Sequence, residues 1–204
     1  MVKKVVTALV GVCVAGALTA CAGADETAEN AGPDLASAPQ NVVWQPVAGI
    51  ESPVESTDGP RESQPVLHGY AQTPQGAVVA AINGQVAMAT ANDELWDEVS
   101  ALLLAPGQGR DQWAQGRALL SIPEGTVQQN PAMFEGFRVA DYTPENAQVV
   151  LAANYPGVGL TAYPVQLTWQ DDWKIVMPTQ DTAPDLEPLQ SLDGFTAFSA
   201  TEGQ

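Results

Sequence analysis

The chain has 204 residues, 24 of them Asp or Glu against seven Lys or Arg, for a formal net charge of −17, with a single His. Past Lys4 the basic residues stand singly, and a nucleic-acid partner needs them clustered to displace counterions, so that class is excluded. Cys13 and Cys21 are the only cysteines, which leaves no thiolate nucleophile, thiolate metal site or disulfide for anything beyond residue 21.

Lys3 and Lys4 precede an apolar or small run from Val5 to Leu18, which closes as Leu18-Thr19-Ala20-Cys21. Basic, apolar, small and then Cys is the order of a bacterial lipoprotein signal. The run of about 14 residues is short for a membrane span, which needs roughly 20. Residues 1–20 therefore read as a signal peptide cleaved before Cys21, with lipid on the Cys21 sulfur and amine. An ordinary secretory peptide with an incidental cysteine is the alternative. Anionic headgroups repel so acidic a chain, so the acyl group has to supply the hold on the membrane. The acidity itself serves solubility or meets a basic protein partner.

Residues 21–41 are rich in Ala, Gly, Asp, Glu and Pro and lack aromatics, the composition of a disordered acidic tether with a span of about 25 Å. Residues 42–65 carry Pro46, Gly49, Pro53, Gly59, Pro60 and Pro65, and read as an extended arm rather than a regular element. Trp44 is its apolar anchor, docked on the domain or facing outward as a hook for a partner.

Residues 66–178 hold the predicted folded domain. Thr73-Pro74 is an N-cap followed by proline at the first helical position. Ala77, Ala80, Ala81, Gly84, Met88 and Ala91 then recur at three- and four-residue spacing, a face of small side chains suited to lying flat on a sheet. Asn92-Asp93-Glu94 opens a second helix, with Leu95, Val99, Leu102 and Leu103 on one face, stopped by Pro106-Gly107. Asp111 to Leu120 is a shorter candidate carrying Trp113, Gly116 and Leu120. The period then falls to two. Met133–Tyr142, Ala147–Tyr155, Leu160–Trp169 and Trp173–Met177 read as strands, with turns at Thr143-Pro144-Glu145-Asn146 and Gln170-Asp171-Asp172. Pro164 marks its strand as an edge or a bulge. Residues 179–204 form an acidic tail, in which Leu186, Leu189, Leu192, Phe195 and Phe198 either pack on the domain or stay loose.

Helices first, then an antiparallel sheet ending in Tyr163-Pro164-Val165-Gln166-Leu167-Thr168-Trp169 and Asp171-Asp172-Trp173-Lys174-Ile175, resemble the nuclear transport factor 2-like superfamily. The resemblance implies an α+β fold with helices packed on a curved antiparallel sheet, a cone that commonly encloses a pocket. Trp44, Gly59-Pro60 and Gly69-Tyr70-Ala71-Gln72-Thr73-Pro74-Gln75-Gly76-Ala77 resemble, more narrowly, a group of exported proteins of high-GC Gram-positive bacteria often associated with conjugative and integrative elements.

Chemistry-bearing constellations are few. Proton transfer in a cone pocket needs a carboxylate base beside an oxyanion donor. Asp141 and Tyr142 are adjacent and so point to opposite faces of a regular strand. His68 has no acid partner evident in sequence, and Asp171-Asp172 supplies too few oxygens for calcium. Gly107-Gln108-Gly109 lacks the spacing of a phosphate-binding loop and reads as a plain loop. No catalytic residue, metal site or cofactor is assigned. Trp44, Trp96, Trp113, Trp169 and Trp173 read as core or cavity lining, and a pocket, if open, is expected around Trp113, Phe137 and Tyr163. The expected function is that of a lipid-anchored, non-enzymatic interaction protein at the outer face of the cytoplasmic membrane, meeting an envelope protein partner, with DNA transfer between cells the setting that the resemblance implies. The alternative is a module that binds a small apolar ligand in the cone pocket. The sequence sets no oligomeric state.

Overall fold

Thr73 and Pro74 start the central helix, α1 (Pro74–Thr90), as their chemistry dictates. The Thr73 hydroxyl accepts the Gly76 N–H at 2.9 Å, and proline occupies a first-turn position whose N–H has no helical partner. Apart from Gln75, every residue from Pro74 to Gly84 is buried, and a helix apolar on all sides belongs in the middle of a protein. α1 is indeed covered twice, by a hairpin on one side and by the main sheet on the other.

The structure is a computed structural model that describes residues 32–201, and from Pro33 onward the described chain is one compact unit. Its class is α+β, with three helices packed against a largely antiparallel sheet. Cys21, the signal segment and most of the expected tether lie outside the described residues. Among the described residues no helix is long and apolar enough to cross a membrane.

The hairpin, β1 (Val43–Val47) and β2 (Ile50–Glu55), corrects the expectation of an irregular arm at 42–65. Pro46 and Pro53 argue against strands in general, yet a two-stranded sheet is all edge and tolerates a missing N–H. Ala48 and Gly49, both at positive φ, turn it. The expected tether is also shorter than residue 41. Leu35 and Ala38 pack against the core, and the Gln75 side chain donates to the Asp34 and Ser37 carbonyls.

Helices α2 (Trp96–Leu103) and α3 (Gln108–Arg117) follow. Leu120, expected on the third helix, lies beyond its end and is 60% exposed. Buried Arg117 clamps this region, donating to the Ala91 and Leu120 carbonyls and to the Asp93 carboxylate at 2.8 Å. Lys174 Nζ donates to the Ala101 and Leu102 carbonyls, closing the end of α2, where burial lowers its pKa.

The main sheet is antiparallel throughout its ladders. β3 (Met133–Tyr142), β4 (Asn146–Tyr155), β5 (Gly159–Trp169) and β6 (Trp173–Ile175) lie in the order expected of consecutive hairpins, and two short strands complete it, β7 (Glu187–Pro188) on β5 and β8 (Thr196–Ala197) on β3. Phe137, Val139, Val149, Leu151, Val165 and Leu167 form the core with α1. The Asp172 carboxylate in the β5–β6 turn accepts the N–H groups of Gly69 and Tyr70 at 2.7 and 2.8 Å, and Trp173 Nε1 donates to the Ala71 carbonyl. The turn thus holds the segment that leads into α1.

The tail is a strap rather than a loose end. Its two strands pair with opposite sides of the sheet, so the chain between them has to cross β4. Gly136, Ala152 and Ala162 stand in one cross-strand row, bracketed by Ala197 on β8 and Glu187 on β7. All three are buried, and a Cβ at Gly136 would stand 2.7 Å from the Thr196 carbonyl oxygen. Small residues make the row low enough for a second layer of chain. Phe195 lies under the Arg138 guanidinium, and Phe198 is buried against Phe137 and Trp44.

Two outcomes follow for stability. Ala152→Leu has no room beneath the strap and costs about 1–3 kcal/mol of overpacking, read as a lower Tm. The Ile122 N–H, and next the Arg117 guanidinium, hold the Asp93 carboxyl below its ordinary pKa. A depressed carboxyl contributes stability that is present above its unfolded pKa of about 3.9 and lost as pH falls through the folded value. Asp93→Asn therefore lowers stability at neutral pH and flattens the acid limb of a denaturation-versus-pH curve.

Candidate functional site

Asn83 is a polar residue inside an apolar helix, and it is 2% exposed. Such a side chain must find partners or leave buried polar atoms unpaired. Its Oδ1 accepts the Ser52 hydroxyl at 2.6 Å, and its Nδ2 donates to the Pro53 carbonyl at 3.0 Å. Helix and hairpin are stitched together by this buried link.

The same pair lines a pocket of about 240 Å³ between the hairpin, α1, α2 and the 63–67 loop. Val54, Val66, Leu67, Val86 and Val99 make its walls, and none of its lining residues is charged. Tyr70 lies nearby, with its hydroxyl donating to the Leu67 carbonyl at 3.2 Å and its pKa pushed far up by burial. An apolar recess with a few convergent polar groups is suited to holding a small apolar molecule that carries one hydrogen-bonding group.

The three expected pocket residues divide. Trp113 and Tyr163 do line one open groove of about 540 Å³, together with Met88 and Pro178. Phe137 does not join them. It is fully buried, edge-on to Phe198 at 5.8 Å, and belongs to the core. Trp44 has its ring 5.0 Å from Phe198 and is half-buried, which is the docked arrangement rather than an outward hook.

The titratable candidates are placed plainly as well. Asp141 is exposed beside a bulge in β3, where it accepts the Tyr142 N–H. His68 is half-buried, its Nδ1 donating to the Val66 carbonyl at 2.8 Å. Asp171 is exposed in its turn, and Asp172 is committed to backbone N–H groups. Among the described residues no group of three His, Cys, Asp or Glu is placed to hold a metal ion. The Ser52–Asn83 pair escaped sequence reasoning. Asn83 breaking an apolar helix is a visible signal, but its partner 31 residues earlier is not.

Three helices on a largely antiparallel sheet, backed by a hairpin that shelters an apolar pocket, define the class of this chain as an α+β domain with recesses. A family model described as a domain of unknown function (DUF8175) matches residues 14–197, and the chain belongs to that family. No curated protein and no solved structure matches it.

Replacing Asn83 by Leu tests the link under the pocket. The substitution orphans the Ser52 hydroxyl and the Pro53 carbonyl, at about 1–3 kcal/mol for each buried group. Adding Ser52→Ala to Asn83→Leu recovers part of that loss, so denaturant titration of the two singles and the double gives a non-additive cycle.

Proposed function

We propose that the chain is an exported lipoprotein, held at the outer face of the cytoplasmic membrane by lipid on Cys21. On this reading its α+β unit is a nuclear transport factor 2-like cone that acts without catalysis, as a contact module for an envelope or conjugative DNA-transfer assembly. The observation that carries the reading is the order of Lys3-Lys4, apolar Val5 to Leu18 and Leu18-Thr19-Ala20-Cys21, with the compact unit beginning a dozen residues later at Pro33. The run of three helices followed by the antiparallel strands β3 to β6, with the Trp169–Trp173 hairpin, supports the cone reading, although a hairpin precedes the helices.

The apolar pocket above Ser52 and Asn83 favours a second reading, a binding module for a small apolar ligand. It differs from the first in what stays attached to the protein during purification.

The test is metabolic labelling of producing cells with an alkyne palmitate, followed by cross-linking and identification of attached proteins. Wild-type protein is expected in membranes with label, and Cys21→Ala unlabelled and shed to the medium. Label on the Cys21→Ala chain, or its full retention in membranes, sinks the lipoprotein reading. Envelope proteins attached only when residues 66–178 are present support the contact module. A copurifying small apolar molecule, lost in Val99→Trp, supports the second reading in its place.

A further inference from the structure

β6 pairs with β5 at Leu167–Trp169 and β7 pairs with it at Thr161 and Ala162, so Tyr163, Pro164 and Val165 have no strand partner on that side. Pro164 carries no N–H, so the gap strands no donor there. A groove of about 550 Å³ opens beside this stretch, with the chain from Met177 to Pro184 forming part of its wall. Gly109 of α3 lets that wall approach, because a Cβ there would collide with the Met177 carbonyl.

Four carboxamides from four elements line the groove: Gln85 of α1, Gln108 of α3, Gln148 of β4 and Gln166 of β5. Gln148 and Gln166 are direct cross-strand partners. Gln72, Gln75 and Gln128 commit their amides to backbone carbonyls, whereas the four in the groove have no side-chain hydrogen bond among the described residues. Tyr163, half-buried, adds an aromatic ring. No Asp, Glu, Lys or Arg lines the groove, although the chain carries 24 acids.

A carboxamide offers two donors and an acceptor without charge. Sugar hydroxyls donate and accept together, and the C–H face of a sugar ring lies well on an aromatic ring. Anionic polymers are opposed by the net charge of −17. Glycoside hydrolysis needs a pair of carboxyl groups, and the lining has none, so the chemistry is binding rather than cleavage. We infer that the groove along the β5 edge binds a neutral oligosaccharide. This site is separate from the apolar pocket and does not depend on lipid at Cys21.

The test presents the full chain, extracted from membranes in a sugar-free detergent, to an array of neutral and anionic oligosaccharides and of neutral peptides. Calorimetry then gives the affinity for the best neutral sugar. Retention of neutral sugars is expected, and Gln148→Ala with Gln166→Ala, both exposed positions, should weaken binding about tenfold or more at an unchanged Tm. Gln166→Glu alone should weaken it as well. The inference is overturned if no neutral sugar is retained, if the double variant binds like wild type, or if anionic sugars or peptides are the ligands that these substitutions release.

Discussion

The carboxylate of Asp172 joins the two halves of the fold. It sits in the turn between β5 and β6, and its two oxygens accept the N–H groups of Gly69 and Tyr70 more than a hundred residues earlier. Those residues precede the Thr73 cap, so the β5–β6 turn sets where α1 begins and in what direction it runs. Charge-assisted bonds to backbone N–H groups are among the stronger ones available. Trp173 reinforces the same junction, with its indole N–H on the Ala71 carbonyl and its ring against Trp169 and Tyr142. With α1 placed, the hairpin has a surface to cover and the Ser52–Asn83 link can form.

Much of this was legible in the residues. Thr73-Pro74 named the start of α1 because cap chemistry is local. The alternation of Tyr163, Val165, Leu167 and Trp169 marked β5 most plainly, whereas Val149 to Ala153 of β4 is buried on both faces, between the core and the strap. What stayed hidden depends on distant partners. Pro46 and Pro53 spoke against strands, and only the free edges of a two-stranded sheet make them harmless. Whether the acidic tail packs or stays loose was open in the sequence because its pairing with β5 and β3 rests on Gly136, Ala152 and Ala162, small residues that form a row only after the sheet is in register. Trp113 and Tyr163 were placed in one groove by their positions on α3 and β5, but Phe137 faces the core because the strap brings Phe198 onto it. The apolar pocket was missed because its hairpin wall was missed.

The recesses differ in kind. The one under the hairpin is walled by valine and leucine, with a satisfied hydrogen-bonded pair at its side, so an occupant gains mainly from leaving water. The groove at the β5 edge is bordered by carboxamides that have no such partners and gains by hydrogen bonding. Both linings are free of charge, and the acids among the described residues lie elsewhere. An acidic exterior with neutral recesses separates solubility from recognition.

The position of the strap bears on how such a chain presents itself. The Thr196 hydroxyl donates to the Ala36 carbonyl at 2.6 Å, tying β8 to the segment that leads back toward Pro33. β8 borders β3, and the carboxamide groove borders β5, so β4 and β3 lie between the groove and that tie. The strap does two things at once: it covers the row of small residues on the sheet, and it holds residues 33–38 on the side away from the groove. The same residues fastened beside β5 would instead cover that edge. The physical consequence is that the first residues of the compact unit and the last strand of the sheet act as one fastening, which leaves Tyr163, Pro164 and Val165 on the β5 edge without a strand partner.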